Sequence, residues 1–281
     1  MKILVTGGSG YLGTHVRRFF SADDFSRRSN LDILSNRDVE SVADYDVVIH
    51  LAAYLDKHPD GADLSFRTNA EGTRNVLRHM RPNSVFIYAS TKDVYGSTAA
   101  DYMGAVPETC STSFVGQSAF EWSKLLGERY VEYYGLQRTI RTCIFRLSSV
   151  YARPTSGNEN GFVTHYVESV KHGLPIRLPA SGDPVRDILY VDDFSRACQA
   201  FIDSPRVTGL YNLGGGPSNA TSLLDMIRIV ARLIDLQPVI EEDAKIPLPE
   251  PLKYVSDIKK IREELEWRPQ TDIEEGLRLL L

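Results

Sequence analysis

The chain has 281 residues, of which 42% are hydrophobic and 25% charged, a composition typical of soluble globular proteins. Its formal net charge of −5 argues against a nucleic-acid partner, and no apolar run approaches the roughly 20 residues of a membrane helix. The three cysteines are widely spaced and predict neither a disulfide framework nor a metal site. Because the sequence starts with a strand pattern rather than a signal peptide, we expect a cytoplasmic protein.

The first stretch, MKILVTGGSGYLG, organises the rest of the chain. Its apolar strand formers are broken by glycines, and a helical pattern opens at Tyr11 and Leu12. Gly7, Gly10 and Gly13 match the spacing of a dinucleotide-binding turn. Glycines let the backbone approach a pyrophosphate, and the helix that follows offers unpaired N–H groups and the positive end of its dipole. A glycine-rich hairpin turn is the alternative, but the strand before and the helix after favour dinucleotide binding.

The rest of the pattern alternates between strands and helices. It predicts helices over residues 11–20, 66–80 and 118–134, and strands over residues 46–53, 85–91 and 139–147. The first helix is expected to bury Leu12, Val16, Phe19 and Phe20. This alternation indicates an α/β Rossmann fold with a doubly wound parallel sheet. We predict a NAD(P)-binding domain over residues 1–150 and a mostly substrate-binding lobe over residues 151–281, some segments of which return to the Rossmann sheet.

The short polar segment after the first helix bears on the choice of cofactor. A second Rossmann strand normally ends in an acid that holds the adenosine ribose, about 20 residues after the glycines, and Asp32 lies near that distance. Arg27 and Arg28 fall where the next loop should begin, and a guanidinium there suits a 2′-phosphate. Both could equally be solvated surface arginines. We favour NADP(H) slightly over NAD(H).

A series of different short motifs runs along nearly the whole chain. They are Thr6-Gly7-Gly8-Ser9-Gly10-Tyr11-Leu12-Gly13, Asp32-Ile33, His50-Leu51-Ala52-Ala53, Thr68-Asn69 with Gly72-Thr73, Ser90-Thr91-Lys92-Asp93-Val94-Tyr95-Gly96, Ser123-Lys124-Leu125-x-Gly127-Glu128, Arg146-Leu147, Arg186-Asp187-Ile188-Leu189-Tyr190-Val191-Asp192-Asp193, Tyr211-Asn212-Leu213-Gly214-Gly215-Gly216 and Trp267-x-Pro269. In this order they resemble the extended short-chain dehydrogenase/reductase family, specifically its NAD(P)-dependent epimerase/dehydratase group, which acts on nucleotide sugars.

The resemblance changes the interpretation of Asp32. In the family an Asp followed by an aliphatic residue contacts the adenine, so Asp32 and Ile33 match that role better than the ribose role. Residues 21–31 would then hold a shortened second and third strand, which weakens the cofactor preference drawn from the two arginines. Further cofactor contacts implied by the resemblance fall on Leu51, Ala52, Ala53, Asn69, Lys124 and Ser148.

The family's chemistry moves a hydride between a sugar carbon, usually C4, and the nicotinamide. It uses a Tyr that exchanges a proton with the sugar oxygen, a Lys four residues later that lowers the pKa of the Tyr, and a Ser or Thr on a neighbouring strand. Lys124 and Thr91 match the last two, although Thr91 could instead cap its own backbone. The residue at the Tyr position is Phe120, which has no exchangeable proton. Losing a general acid costs on the order of 10²–10⁴-fold in rate.

Three explanations of Phe120 stay open at this point. It is an engineered replacement, a natural active variant that uses another acid such as Asp93, Thr91 or a bound water, or a sign of a non-catalytic relative. Asp93 could also act as a base, or cap a turn. The pair Lys92-Asp93 stands where related 4,6-dehydratases carry Asp-Glu, which argues against a dehydratase.

Substrate contacts are implied mainly in the second half of the chain. Arg186 matches an Arg that grips the diphosphate or ribose of the substrate, with a salt bridge to Asp192 or Asp193 as the structural alternative. The loop over residues 148–161 should cover the sugar, with Ser149 where relatives often carry Asn. A second Arg expected near residue 250 is not evident, and Lys253 is a weak substitute.

These observations favour a nucleotide-sugar 4-keto-reductase or 4-epimerase, and the short length and the arginine pair favour the reductase. The alternatives are a non-catalytic protein that binds NAD(P) and a nucleotide sugar, or a dehydratase. The helices over residues 66–80 and 118–134 correspond to those that pair in homodimers of the family, and their apolar residues could equally complete a monomer core.

Overall fold

The computed structural model describes residues 1–155, 161–241 and 251–281. Its strands are β1 (Ile3–Thr6), β2 (Asp23–Phe25), β3 (Val47–His50), β4 (Val85–Thr91), β5 (Arg141–Leu147), β6 (Ser149–Tyr151), β7 (Ile176–Arg177), β8 (Val185–Tyr190), β9 (Thr208–Leu213), β10 (Ala220–Ser222), β11 (Ile240–Glu241) and β12 (Lys253–Tyr254). The α-helices are α1 (Tyr11–Phe20), α2 (Ala62–Ser65), α3 (Thr73–His79), α4 (Ala119–Arg138), α5 (Phe162–Lys171), α6 (Val191–Asp203), α7 (Leu223–Ile234), α8 (Lys259–Leu265) and α9 (Ile273–Arg278).

The main sheet has six parallel strands in the order β2-β1-β3-β4-β5-β9. Successive residues of β1 and β3 pack on opposite faces: Leu4 and Val48 belong to one apolar core, and Val5 and Ile49 to the other. Burial on both faces explains why these strands are apolar throughout. The predicted doubly wound Rossmann fold is confirmed, and the carboxyl ends of β1, β3, β4 and β5 meet at one edge.

The strands after residue 148 form smaller sheets, apart from β9. Strand β8 lies between β10 and β12 and also pairs with β6, whereas β7 pairs with β11. Strand β9 returns to the main sheet beside β5. The division into two domains near residue 150 stays a prediction.

Three expectations about local structure are wrong in detail. Residues 66–80 do not form one regular helix, because a π-helical segment, Phe66–Gly72, separates α2 from α3. Residues 21–31 hold only strand β2 and a 3₁₀ turn, Arg27–Ser29, so the expected third strand is missing there. Phe19 is 42% exposed, because it lies on the side of α1 away from the sheet.

Helix α4 is longer than predicted and has clear signals at both ends. Ser118 caps its first turn together with Glu121, and Thr139 ends it with a left-handed φ of 54°. Strand β5 therefore starts at Arg141 rather than at Thr139. Among the described residues, no helix combines the length and hydrophobicity needed to cross a bilayer.

Candidate functional site

The glycine turn joins β1 to α1 and is tight. Gly7 has a φ of +68°, and a Cβ atom on Gly13 would lie 2.1 Å from the Gly7 carbonyl oxygen. The same carbonyl accepts a 2.9 Å hydrogen bond from the Gly10 amide. Side chains at Gly7 and Gly13 would therefore force the first turn of α1 away from the sheet.

The start of α1 fits the pyrophosphate of a dinucleotide. Gly10 is the N-cap and supplies no side-chain hydrogen bond, so the N–H groups of Tyr11, Leu12 and Gly13 have no partner within the helix. Gly10, Tyr11 and Leu12 are each partly exposed. The Tyr11 side chain points elsewhere: its hydroxyl lies 2.8 Å from the Ala152 carbonyl oxygen and 2.7 Å from the Thr164 hydroxyl.

Strand β2 brings both signs of charge to this turn. Arg27 and Arg28 directly follow β2 and are exposed, and Arg28 Nη1 donates a 2.7 Å hydrogen bond to the Ser9 carbonyl. Asp24, which the sequence interpretation did not single out, accepts a hydrogen bond from the Ser9 hydroxyl. Its Oδ1 atom is buried and has no partner among the described residues. Ser9 in the glycine turn is thus held by hydrogen bonds to a carboxylate and from a guanidinium.

The other predicted cofactor residues follow strands β2 and β3 along the chain. Asp32 is partly buried and its Oδ1 accepts the Leu34 N–H at 2.9 Å, whereas Ile33 is buried against Gly72. Leu51, Ala52 and Ala53 continue from β3 and are all partly buried. The segment after β3 therefore passes beside the glycine turn, where the Ala52 amide would contact any side chain at position 7.

Asn69 holds the segment that follows β3. The side chain is fully buried; its Oδ1 accepts the Tyr54 N–H at 2.8 Å, and its Nδ2 donates to the Tyr54 carbonyl and to Ser123, both at 2.9 Å. With these bonds made, the observed role of Asn69 is to fix the backbone at Tyr54.

Lys124 lies on α4, one helical turn after Phe120, and is buried. Its Nζ donates a 2.8 Å hydrogen bond to the Ala89 carbonyl and lies 5.0 Å from the centre of the Tyr88 ring. Burial lowers the pKa of Lys124 to about 7, and the Glu128 carboxylate opposes that shift only in part. The ammonium group is thus held against β4, two residues before Thr91.

Thr91 ends β4 and lines a pocket whose walls also include Lys57. Its Oγ1 accepts a 3.1 Å hydrogen bond from the Asp93 amide, which is the capping contact considered as an alternative. No described residue accepts the hydroxyl proton of Thr91, so that proton is free to bind a ligand. Phe120 is 6% exposed in the first turn of α4.

A polar cluster of Lys57, Lys92, Asp93 and Glu121 approaches Phe120 through Lys57; we call it the Lys57 cluster. Lys57 Nζ lies 2.8 Å from Asp93 Oδ2 and 2.6 Å from Glu121 Oε1, and Lys92 contacts the other Asp93 oxygen. Burial raises the pKa of Asp93, but the ammonium groups of Lys92 and Lys57 outweigh it and hold that pKa well below its usual range. Asp93 is therefore ionised at neutral pH and has no proton to donate.

Arg186 and two serines approach the same pocket from the other side. Arg186 Nη1 donates to the carbonyls of Val185 and Leu252, at 2.7 and 3.0 Å. Among the described residues it forms no salt bridge with Asp192 or Asp193, and Asp193 pairs with Arg196 instead.

Ser148 and Ser149 stand where β5 passes into β6. The Ser148 hydroxyl donates a 2.6 Å hydrogen bond to the fully buried Asp187, and Ser149 opens strand β6. Residues 156–160 of the loop predicted to cover the sugar lie outside the described residues, as does the region near residue 250. Lys253 is in strand β12.

The pocket has a volume of about 510 Å³, within the range of small-molecule sites. Its walls include one residue that the sequence interpretation missed, Lys57. They also include the predicted residues Thr91, Asp93, Ser148, Ser149 and Arg186. Lys57 and Glu121 were missed because neither belongs to a recognised motif. The signal available for Lys57 was its position in a polar run seven residues after the end of β3, at the ligand-binding edge of the sheet.

Comparisons with known proteins agree with this geometry. A model of the NAD dependent epimerase/dehydratase family matches residues 3–214. CDP-paratose 2-epimerase of Salmonella typhi is 27% identical over 338 aligned residues, which cover 99% of this chain and 97% of the relative. dTDP-glucose 4,6-dehydratase of Mycobacterium tuberculosis is 30% identical, with 99% and 91% covered. UDP-glucuronic acid 4-epimerase from Bacillus cereus, solved with UDP-glucuronic acid and NAD, is 25% identical with a TM-score of 0.81, covering 99% of this chain and 97% of that one.

The glycine turn and the polar pocket at the carboxyl edge of a parallel sheet define a dinucleotide-binding α/β protein. The chain belongs to the NAD dependent epimerase/dehydratase family, in agreement with the resemblance seen in the sequence. Its relatives are enzymes that act on nucleotide sugars.

Proposed function

We propose that this protein is a reductase that uses NADPH to reduce a ketone at C4 of a nucleotide-activated sugar. The observation that carries the proposal is that Thr91, Ser149 and Arg186 line one pocket of about 510 Å³, beside the strand that accepts the Lys124 hydrogen bond. A hydroxyl donor and a guanidinium in one cavity suit a sugar oxygen and a diphosphate, respectively.

The dinucleotide would supply the hydride. Its pyrophosphate would bind the free N–H groups at the start of α1. We propose that Asp32 and Ile33 contact the adenine, and that Arg27 and Arg28 bind the 2′-phosphate that distinguishes NADPH from NADH.

Lys124 has the position to hold a ribose hydroxyl of the cofactor. Lys124 follows Phe120 by one helical turn, and only the Ala89 carbonyl hydrogen-bonds to its ammonium group among the described residues. Two further N–H donors therefore remain for a ligand. A pKa of about 7 keeps a substantial protonated fraction at neutral pH, and a ligand oxygen would increase it.

The Lys57 cluster favours a reductase over a dehydratase. A dehydratase needs an acid and a base at this position, whereas Asp93 is locked as a carboxylate between two lysines. An epimerase would retain its NAD between half-reactions, which provides a simple distinction from a reductase that exchanges its cofactor.

We also propose that the protein is a homodimer. Helix α4 leaves four large apolar side chains exposed: Trp122, Leu126, Tyr133 and Leu136. Their spacing of four, seven and three residues places them on one side of the helix. An exposed apolar stripe of this kind is typical of an interface.

The test follows the loss of NADPH absorbance with a panel of 4-keto nucleotide sugars, for the native protein and for Phe120→Tyr. We expect turnover, with kcat/KM for NADPH about tenfold or more above that for NADH, because the 2′-phosphate adds charge-assisted hydrogen bonds. Stoichiometric NAD in the denatured protein would indicate an epimerase instead. Cofactor and sugar binding without turnover by either protein would indicate the non-catalytic alternative.

A further inference from the structure

Phe120 removes the usual proton donor, but a cation stands beside its ring. Lys57 Nζ lies 5.5 Å from the centre of the Phe120 ring. Lys57 lines the pocket together with Thr91, whose hydroxyl proton is free among the described residues. A sugar oxygen bound by Thr91 would therefore face an ammonium group within the same cavity.

The backbone that carries Lys57 is held in place by hydrogen bonds on both sides of the residue. Asn69 makes two hydrogen bonds to the Tyr54 backbone, three residues before Lys57, and the Asp56 carboxylate accepts the His58 N–H at 2.9 Å. Asn69 is in turn hydrogen-bonded to Ser123 of α4. The helix that carries Phe120 thus also positions the Lys57 segment.

The ammonium group itself is held by carboxylates from two different elements. Asp93 follows β4, and Glu121 lies in the first turn of α4, where its other oxygen accepts the Ser118 N–H at 2.7 Å. Each carboxylate is therefore fixed by a second contact, Asp93 by Lys92 and Glu121 by the helix cap. This arrangement orients Lys57 more strictly than a single surface ion pair would.

The charges around Lys57 keep it protonated. Partial burial lowers its pKa, but Asp93 and Glu121 outweigh that effect and raise the pKa above that of a free lysine. Lys92, within the cluster, and Arg186, which also lines the pocket, both interact with Asp93. The side chain is 52% exposed, so solvent can return a proton to it.

We propose that Lys57 donates the proton to the sugar oxygen in place of the absent tyrosine. The assignment rests on the reductase function proposed above. As the carbonyl carbon accepts a hydride and its electron pair from the reduced dinucleotide, one N–H bond of Lys57 breaks and an O–H bond forms on the sugar. Lys57 is left as a neutral amine and regains its proton from water.

The resting charge state of the Lys57 cluster suits an acid rather than a base. Reduction starts from a protonated donor, and the sugar alkoxide that forms as the hydride arrives is a far stronger base than an amine, so it can take the proton from Lys57 despite the two carboxylates. Oxidation of the alcohol would start from a neutral amine, which the same carboxylates keep scarce. The Lys57 cluster therefore matches a keto-reductase better than an epimerase, which must first oxidise its substrate.

The test is a double-mutant cycle of Lys57→Met and Phe120→Tyr, measured as single-turnover rates with NADPH and a 4-keto nucleotide sugar. We expect Lys57→Met to lower the rate roughly 10²–10⁴-fold with Phe120 present. In the Phe120→Tyr background, where a phenol can donate the proton, we expect a loss of less than about tenfold. Lys259→Met is the matched control and should leave the rate unchanged, because it removes an exposed lysine of helix α8 that does not line the pocket.

Equal losses in both backgrounds would overturn the assignment and show that Lys57 only shapes the pocket, while leaving the reductase function intact. Absence of turnover in all four proteins of the cycle would overturn both proposals. A second readout uses ¹³C-methylated lysines, with the Lys57 signal identified by its absence from Lys57→Met. We expect that signal to shift when the keto sugar binds, and an unshifted signal in a saturated complex would contradict contact.

Discussion

The ammonium group of Lys124 is buried, and the Ala89 carbonyl oxygen is its only hydrogen-bond partner among the described residues. A free lysine has a pKa near 10.5, whereas burial lowers the pKa of Lys124 to about 7. Between these values the unfolded chain holds the proton and the folded chain does not, so the free energy of unfolding rises with pH across that window. Below pH 7 the burial cost is present in full.

Lys124→Met should therefore stabilise the cofactor-free protein most at low pH. We expect a gain on the order of 2 kcal/mol at pH 6, after loss of the Ala89 hydrogen bond, and a smaller gain at pH 9. Urea unfolding at both pH values measures it, with Lys259→Met as an exposed control. A gain that is the same at both pH values would show that the charge is not the cause.

The family resemblance predicted Thr91 and Lys124 as partners of the Tyr position, because both belong to motifs that match the family in order. It did not predict Lys57 or Glu121, whose contact depends on how the loop after β3 folds onto the start of α4. That fold is set by Asn69, which was expected to contact a cofactor and is observed bonded to Tyr54 and Ser123. Which partner a buried amide selects is decided by tertiary packing.

At the scale of elements, the start of α1 tolerates no side chain on its inner side. We expect Gly13→Ala to lower the free energy of unfolding by about 1–3 kcal/mol and to weaken NADPH binding, because the new Cβ would overlap the Gly7 carbonyl. Gly104→Ala is the matched control, since a Cβ there meets nothing within 4 Å. Thermal unfolding and fluorescence titration with NADPH measure both effects. Unchanged binding by Gly13→Ala would contradict the cofactor assignment.

The strands of the main sheet and the helices between them were largely predictable from hydrophobic periodicity and composition. Interruptions within a helix or a strand pattern were not. The π-helical segment, Phe66–Gly72, lies inside a stretch whose pattern predicts a single helix, and Asn69 within it hydrogen-bonds to distant residues that the local pattern does not reveal. A third strand was expected within residues 21–31 because the family resemblance implied one there. Residues 26–31 close into a turn instead, through hydrogen bonds to the Ser26 carbonyl.

At the scale of the molecule, the exposed apolar stripe on α4 predicts a dimer. We expect the native protein to have twice the chain mass by light scattering, and Leu126→Glu or Leu136→Glu to be monomeric, because a buried unpaired carboxylate is costly. Leu236→Glu, at an exposed leucine beyond α7, should remain dimeric. A monomeric native protein would contradict the proposed interface.

Strand β2 has a consequence for how the protein can assemble. It is one of the two outer strands of the main sheet, only three residues long, and two of them are Asp23 and Asp24. An edge strand this short and acidic offers an incoming strand few hydrogen bonds and repels a second copy of itself. Growth of the sheet from one molecule into the next is therefore opposed on that flank, in keeping with self-association through helical surfaces.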